Sequence, residues 1–192
     1  MKYISIDIET TGLDPDMHDI VEFGAIIDDL DDDSPSHPIF HCYFEPPFNG
    51  NFIGSPYALS MHAEKFERIA HPQPGNLIIS PKLLGDHFRD WLLVNSFEYN
   101  SHGSFKVSIV AAGKNFGSFD LQFLKRKSNL LDFVDIHYRM IDPCILYYEP
   151  GDIMLPSMDK CLERAGIDKT VTHNAVDDAM DIVKLIRHKM RS

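Results

Sequence analysis

The sequence predicts an α/β fold, and two patterns carry that prediction. Three strand-like apolar segments follow one another within the first 44 residues, as in an antiparallel meander. After them, helical periods and short apolar runs alternate along the rest of the chain. The first segment, residues 3–8, alternates: Ile4, Ile6 and Ile8 face one way, and Ser5, Asp7 and Glu9 the other. The second runs from Val21 to Ile27 and the third from Ile39 to Phe44. The acidic stretch Asp28 to Asp33 between them reads as a solvated hairpin tip. Pro, Gly and Asn mark residues 46–56 as a loop. Residues 57–69 read as a short helix that stops before Pro72 and Pro74. Residues 81–95 form an amphipathic helix with Leu83, Leu84, Phe88, Trp91 and Leu92 inward. A polar loop at 97–105 leads to a strand at 106–112, a helix at 116–128 and a strand at 136–142. Helices at 156–165 and 174–189 follow. The expected product is a mixed five-stranded sheet, three-strand meander plus parallel strands, flanked by helices, in a single domain over residues 1–192.

Composition narrows the function classes. Apolar residues make up 44 % of the chain without any long apolar run, so no membrane-spanning helix is expected. Met1-Lys2 runs straight into the first strand, so no signal peptide is expected. Three cysteines, Cys42, Cys144 and Cys161, lack close metal-ligand spacing and suit reduced core positions in a cytoplasmic protein. The net charge of −11 argues against tight binding to long nucleic acid, which depends on neutralising phosphates. The charge is uneven: residues 1–100 hold 5 Lys+Arg against 17 Asp+Glu, and residues 101–192 hold 13 against 12. Any phosphate-tracking surface is therefore expected from the second half, with Lys114, Lys125, Arg126, Lys127 and Arg139 as candidates.

Asp7 and Glu9 share one face of the first strand. Two such carboxylates repel each other and are costly to desolvate, and a divalent cation relieves both costs. Asp178 falls in helical phase with Ala175, Ile182 and Leu185, on the apolar stripe of the last helix. Asp177 instead lines up with Asp181, Lys184 and His188, which reads as a solvated polar face. Asp120 has Phe116, Phe123 and Leu124 as helical neighbours, so it too sits among apolar residues near a helix start. Four carboxylates with no cysteine ligand suit hard cations, Mg²⁺ or Mn²⁺.

Asp7-Ile8-Glu9-Thr10-Thr11-Gly12, Asn115-Phe116-Gly117-Ser118-Phe119-Asp120 and His173-Asn174-Ala175-Val176-Asp177-Asp178, in this order, resemble the three motifs of the DEDDh 3′–5′ exonucleases. The resemblance spans nearly the whole chain. It implies a ribonuclease-H-like fold and two divalent cations held by Asp7, Glu9, Asp120 and Asp178, with Asp7 bridging. It further implies His173 as the general base that activates the attacking water. The reaction implied is release of nucleoside 5′-monophosphates from the 3′ end of single-stranded or short nucleic acid. Thr10, Thr11, Gly12 and Leu13 would line the pocket for the terminal nucleotide. Ser55 to His62 resembles a family segment ending in an Ile-His pair on substrate, which makes His62 a candidate. Asn115 and Phe119 complete the substrate-binding set, with Phe119 divided between core and base platform. The spacing from Asn115 to Asp120 and the segment His137-Tyr138-Arg139-Met140-Ile141-Asp142 are similar to oligoribonucleases. There the tyrosine reaches a partner subunit's site, so Tyr138 implies a homodimer acting on short oligonucleotides. Two alternatives stay open: a proofreading exonuclease working with a polymerase, and a binding module with a decayed site, which should have lost one of the five central residues. Nothing separates RNA from DNA, since no reader of the 2′-hydroxyl is recognisable.

Overall fold

The computed structural model describes residues 1–34, 36–47, 49–100, 105–168 and 173–191. Strand β1 (Lys2–Thr10) lies inside the sheet. It pairs antiparallel with β2 (Ile20–Asp29), which pairs antiparallel with β3 (Ile39–Phe44), so the meander stands. A two-residue strand β4 (Ile78–Ile79) extends the far edge, parallel to β3. The remaining strand material is β5 (Val107–Ile109) and β6 (Ala111–Ala112). β6 runs parallel to β1, completing the five-stranded order β4-β3-β2-β1-β6. β5 pairs instead with β7 (Val134–Ile136), also in parallel. The 106–112 stretch is thus divided at Val110, one part serving each neighbour. The final strand, expected at 136–142, is centred earlier; beyond Ile136 the chain keeps one isolated bridge, Ile141 to Ala112.

Helices cover both faces. Helix α3 (Leu84–Val94) and α4 (Asp120–Lys127) pack against Ile4, Ile6 and Ile8. An aromatic group of Phe23, Phe40, Phe88 and Trp91 fills that layer, with ring centroids 5.2–5.9 Å apart. On the opposite face lies α8 (Ala175–Arg191), the last and longest helix. Its stripe of Ala179, Ile182, Val183, Leu185 and Ile186 is buried, and Ser5 Oγ donates to the Ala179 carbonyl at 2.8 Å. The alternation of β1 therefore assigns its two faces: isoleucines to the α3/α4 layer, and Ser5, Asp7 and Glu9 to the α8 side. Helices α6 (Pro143–Leu146) and α7 (Met158–Arg164) pack beside α8.

Several local expectations are corrected. The helix expected at 57–69 is two, α1 (Pro56–Met61) and α2 (Ala63–Ala70), broken at His62. Ser55 caps the first by accepting from the Ala58 N–H at 3.2 Å. Leu83, expected inward, is 48 % exposed, because residues 81–83 form a 3-10 turn that shifts the helical phase. The helix expected from 116 starts only at Asp120, after a run of turns. The acidic turn is more than a solvated tip: Asp28 is fully buried and accepts from Arg187 Nε of α8 at 2.8 Å. A four-residue helix α5 (Leu130–Phe133) had no sequence counterpart. Part of the loop expected at 97–105, residues 101–104, lies outside the described residues.

Candidate active site

Three elements end at one place. β1 brings Asp7 and Glu9, the start of α4 brings Asp120, and the first turn of α8 brings Asp178, with His173 just ahead of it. All five line a single cleft of about 610 Å³, together with Ile8, Leu13, Lys114, Asn115, Phe119, Ser157, Met158, Asp159 and Ile182. The local reasons are specific. The Ile8 N–H donates to Asp120 Oδ1 at 3.2 Å, so β1 fixes that carboxylate directly. Gly24 lies opposite Asp7 across the β1–β2 ladder. A Cβ there would stand 2.5 Å from the Ala175 backbone, so the missing side chain is what lets α8 approach the acids.

The electrostatics are those of crowded like charges. Burial first, then Asp120, Glu9 and Asp178, push the Asp7 carboxyl well above its ordinary range. Glu9 is pushed up to about 8, chiefly by burial, with Lys65 pulling the other way. Asp120 is pushed up to about 7 by burial, against the hydrogen bonds from its own backbone and Ile8. Charges so placed are relieved by a proton or by a cation. Ligating atoms of Glu9, His173 and Asp178 all lie within 4.8 Å of one another. The carboxylates of that group, with Asp7 and Asp120 in the same cleft, offer the oxygen donors that a hard divalent cation takes.

The structure places the other expected residues as follows. Leu13 is 82 % exposed at the cleft, and Asn115 and Phe119 line it, Phe119 also packing on Phe123. Asn115 has a positive φ of 55°, and its N–H donates to Asp142 at 3.0 Å. Thr10, Thr11 and Gly12 are buried and do not line the cleft. Thr10 Oγ1 donates to the Gly12 carbonyl at 2.7 Å and Thr11 Oγ1 to that of Ile53 at 2.5 Å, so they shape the turn behind it. His62 is 1 % exposed and supports the strand from beneath: Nε2 donates to the Thr10 carbonyl at 3.1 Å and lies 3.5 Å from Glu9 Oε2. Tyr138 is 73 % exposed, stacked on His137 and away from this chain's cleft. Of the basic candidates, Lys114 lines the cleft. Arg126 and Lys127 are engaged with Asp16 at 2.6 Å and Asp19 at 3.6 Å.

Sequence reasoning missed Glu22 and Lys65. Both are buried, with Lys65 Nζ 2.9 Å from Glu22 Oε2. The available signal was Glu22 alone in the apolar run of β2, where an acid calls for a partner. It also missed the wall formed by Ser157, Met158 and Asp159. Among the described residues no helix is long and apolar enough to cross a membrane. Compared with known proteins, the chain matches no family model and no curated protein.

Proposed function

We propose that this protein is a metal-dependent 3′–5′ exonuclease of the DEDDh type on a ribonuclease-H-like fold, acting on single-stranded or short nucleic acid. The observation that carries the reading is the convergence of Asp7, Glu9, Asp120, Asp178 and His173 on one cleft. The meander with a parallel strand beside β1, and helices on both faces, supports the fold assignment. Asp7, Glu9, Asp120 and Asp178 would hold two divalent cations, Mg²⁺ or Mn²⁺, which supply charge neutralisation at the phosphate and acidify a bound water. His173, exposed at the rim, would be the group that accepts the attacking water's proton. Leu13 and Phe119 offer apolar surface to the terminal base, and Asn115 and Lys114 offer polar contact to sugar and phosphate. The homodimer belongs to the same reading: Tyr138 is free of its own cleft and projects from the surface, where it could reach a partner's site. A cytoplasmic location suits Cys42, Cys144 and Cys161, which are buried and not disulfide-bonded.

The test is a time course on 5′-labelled 5-mer and 25-mer substrates, as RNA and as single-stranded DNA, with Mg²⁺, Mn²⁺ or chelator. Ladders that shorten from the 3′ end and vanish with chelator are expected. Preference for the RNA 5-mer points to an oligoribonuclease-like enzyme, and equal use of the DNA 25-mer to a general exonuclease. No shortening with either metal overturns the reading.

A further inference from the structure

We propose that the buried Glu22–Lys65 pair is a positioning device for His173, clamping the segment that carries the imidazole to the rim of the cleft. The role given to His173 rests on the exonuclease reading above; the clamp itself is read from contacts. His173 has a φ of 52°, in the left-handed region that a non-glycine residue occupies when its surroundings hold it there. Lys65 Nζ donates to the His173 carbonyl at 2.7 Å. The same Nζ lies 2.9 Å from Glu22 Oε2. Glu22 Oε2 also accepts from the Ala175 N–H at 3.2 Å, and Oε1 from the Asn174 side-chain amide at 3.4 Å. One residue of β2 and one of α2 thus grip three consecutive residues at the entry to α8.

The pair is otherwise hard to account for. Glu22 is 0 % exposed and Lys65 9 %. A buried ion pair is on average no more stabilising than an apolar pair of the same size, so its use is geometric. An ammonium has three donors, and here one meets the carboxylate and another the strained carbonyl. His41 Nε2 at 2.7 Å holds Glu22 Oε1 from the β3 side, which fixes the carboxylate itself. Glu22 also stands directly opposite Glu9 in the β1–β2 register, so the clamp ties the ligand strand to the base segment. His173 remains exposed and faces both the main cleft and an adjoining one lined by Lys65.

The test uses the charge-balanced variant Glu22→Gln/Lys65→Met, in the wild-type and His173→Ala backgrounds. In the first, kcat should fall about tenfold or more, as when an outer partner of a site is removed. KM should stay within about twofold, because neither residue lines the main cleft. In the His173→Ala background the variant should cost nothing further, since the clamp acts through that side chain. An unchanged kcat, or an equal loss with and without His173, overturns the proposal. Should the double variant not fold, Lys65→Arg keeps the charge while moving the donor, and a wild-type kcat there overturns it as well. The imidazole NMR signals of His173 separate the two readings. Signals unchanged in the variant overturn the clamp, whereas shifted signals in a protein whose wild type releases no nucleotide uphold the clamp and overturn only the exonuclease assignment.

Discussion

Asp178 and Asp177 are neighbours in sequence and opposites in environment. Asp178 is half-buried at the cleft, while Asp177 is exposed on the outer side of the same turn. Asp178→Asn, like Asp7→Ala, should lower nucleotide release by more than about 10²-fold, since each removes a carboxylate of the proposed metal site. Asp177→Asn should leave the rate unchanged. A single-turnover assay on a short oligonucleotide checks all three, and a dead Asp177→Asn enzyme would show that the ligand was misassigned. Helix phase was enough to tell these two acids apart. It failed for Asp181, which by phase belongs with Asp177 yet is 1 % exposed beside Lys184 Nζ at 2.9 Å. The failure has a physical cause: where α8 crosses the middle of the sheet, Ile182, Val183, Leu185 and Ile186 are all buried, so a wider arc is covered than at its first turn. His62 was illegible for a different reason. Its burial follows from the break between α1 and α2 and from docking under Glu9, neither of which leaves a mark in local pattern.

At the scale of elements, the distance between α8 and the sheet is set at Gly24. The Cβ of an alanine there would lie 2.5 Å from the Ala175 carbonyl carbon and 2.6 Å from the Val176 nitrogen, both backbone atoms that no rotamer change can move aside. Gly24→Ala should therefore displace the first turn of α8 and cost about 1–3 kcal/mol, the usual penalty of overpacking. Because that turn carries Asp178, Mn²⁺ affinity should fall with it. Urea unfolding and a Mn²⁺ titration on the same preparation check this; a destabilised variant with wild-type affinity would mean that the strand, and not the helix, gives way. The larger elements were legible because their periods are long enough to read. β3 spans the residues expected of it, Ile39 to Phe44. The two-residue β4 and the four-residue α5 and α6 are too short for a helical or pleat period to recur within them. α6 did carry a start signal, Asp142 capping the Cys144 N–H at 2.8 Å ahead of Pro143.

For the molecule as a whole, four crowded acids in a chain of net charge −11 make stability depend on what neutralises them. Without metal, Glu9 keeps its proton up to about pH 8 and Asp120 up to about 7, whereas in the unfolded chain both lose it near their ordinary values of 4.5 and 3.8. In that interval the folded state binds more protons than the unfolded one, so stability falls as pH rises. Groups held low oppose this elsewhere on the scale, among them the buried Glu22 and His62. Glu22, held low by His41 and Lys65 against the effect of burial, loses its contribution below the ordinary carboxylate range. His62, held low by burial and by Lys65, stabilises the fold increasingly as pH rises through 6.5. Between pH 7 and 8.5 the acids titrate together with the Met1 amino group, which Asp31 and Asp29 hold above its ordinary 8.0, and both lower stability as pH rises. With chelator, Glu9 should cost about 1 kcal/mol across that interval, a fall of roughly 2–4 °C in Tm for a chain of this size, and Asp120, half titrated at its start, should cost less. Mn²⁺ needs the ionised ligands, so its effect should run the opposite way. At about 100 times its dissociation constant it should add ~2.7 kcal/mol at pH 8.5, and less at pH 5.5, where protons compete for the same oxygens. Thermal unfolding at pH 5.5, 7 and 8.5, with chelator and with Mn²⁺, reads the crossing directly. A metal-free Tm that rises from pH 7 to 8.5 would mean that the four carboxylates do not share one buried field, and the two-metal reading would fall with them.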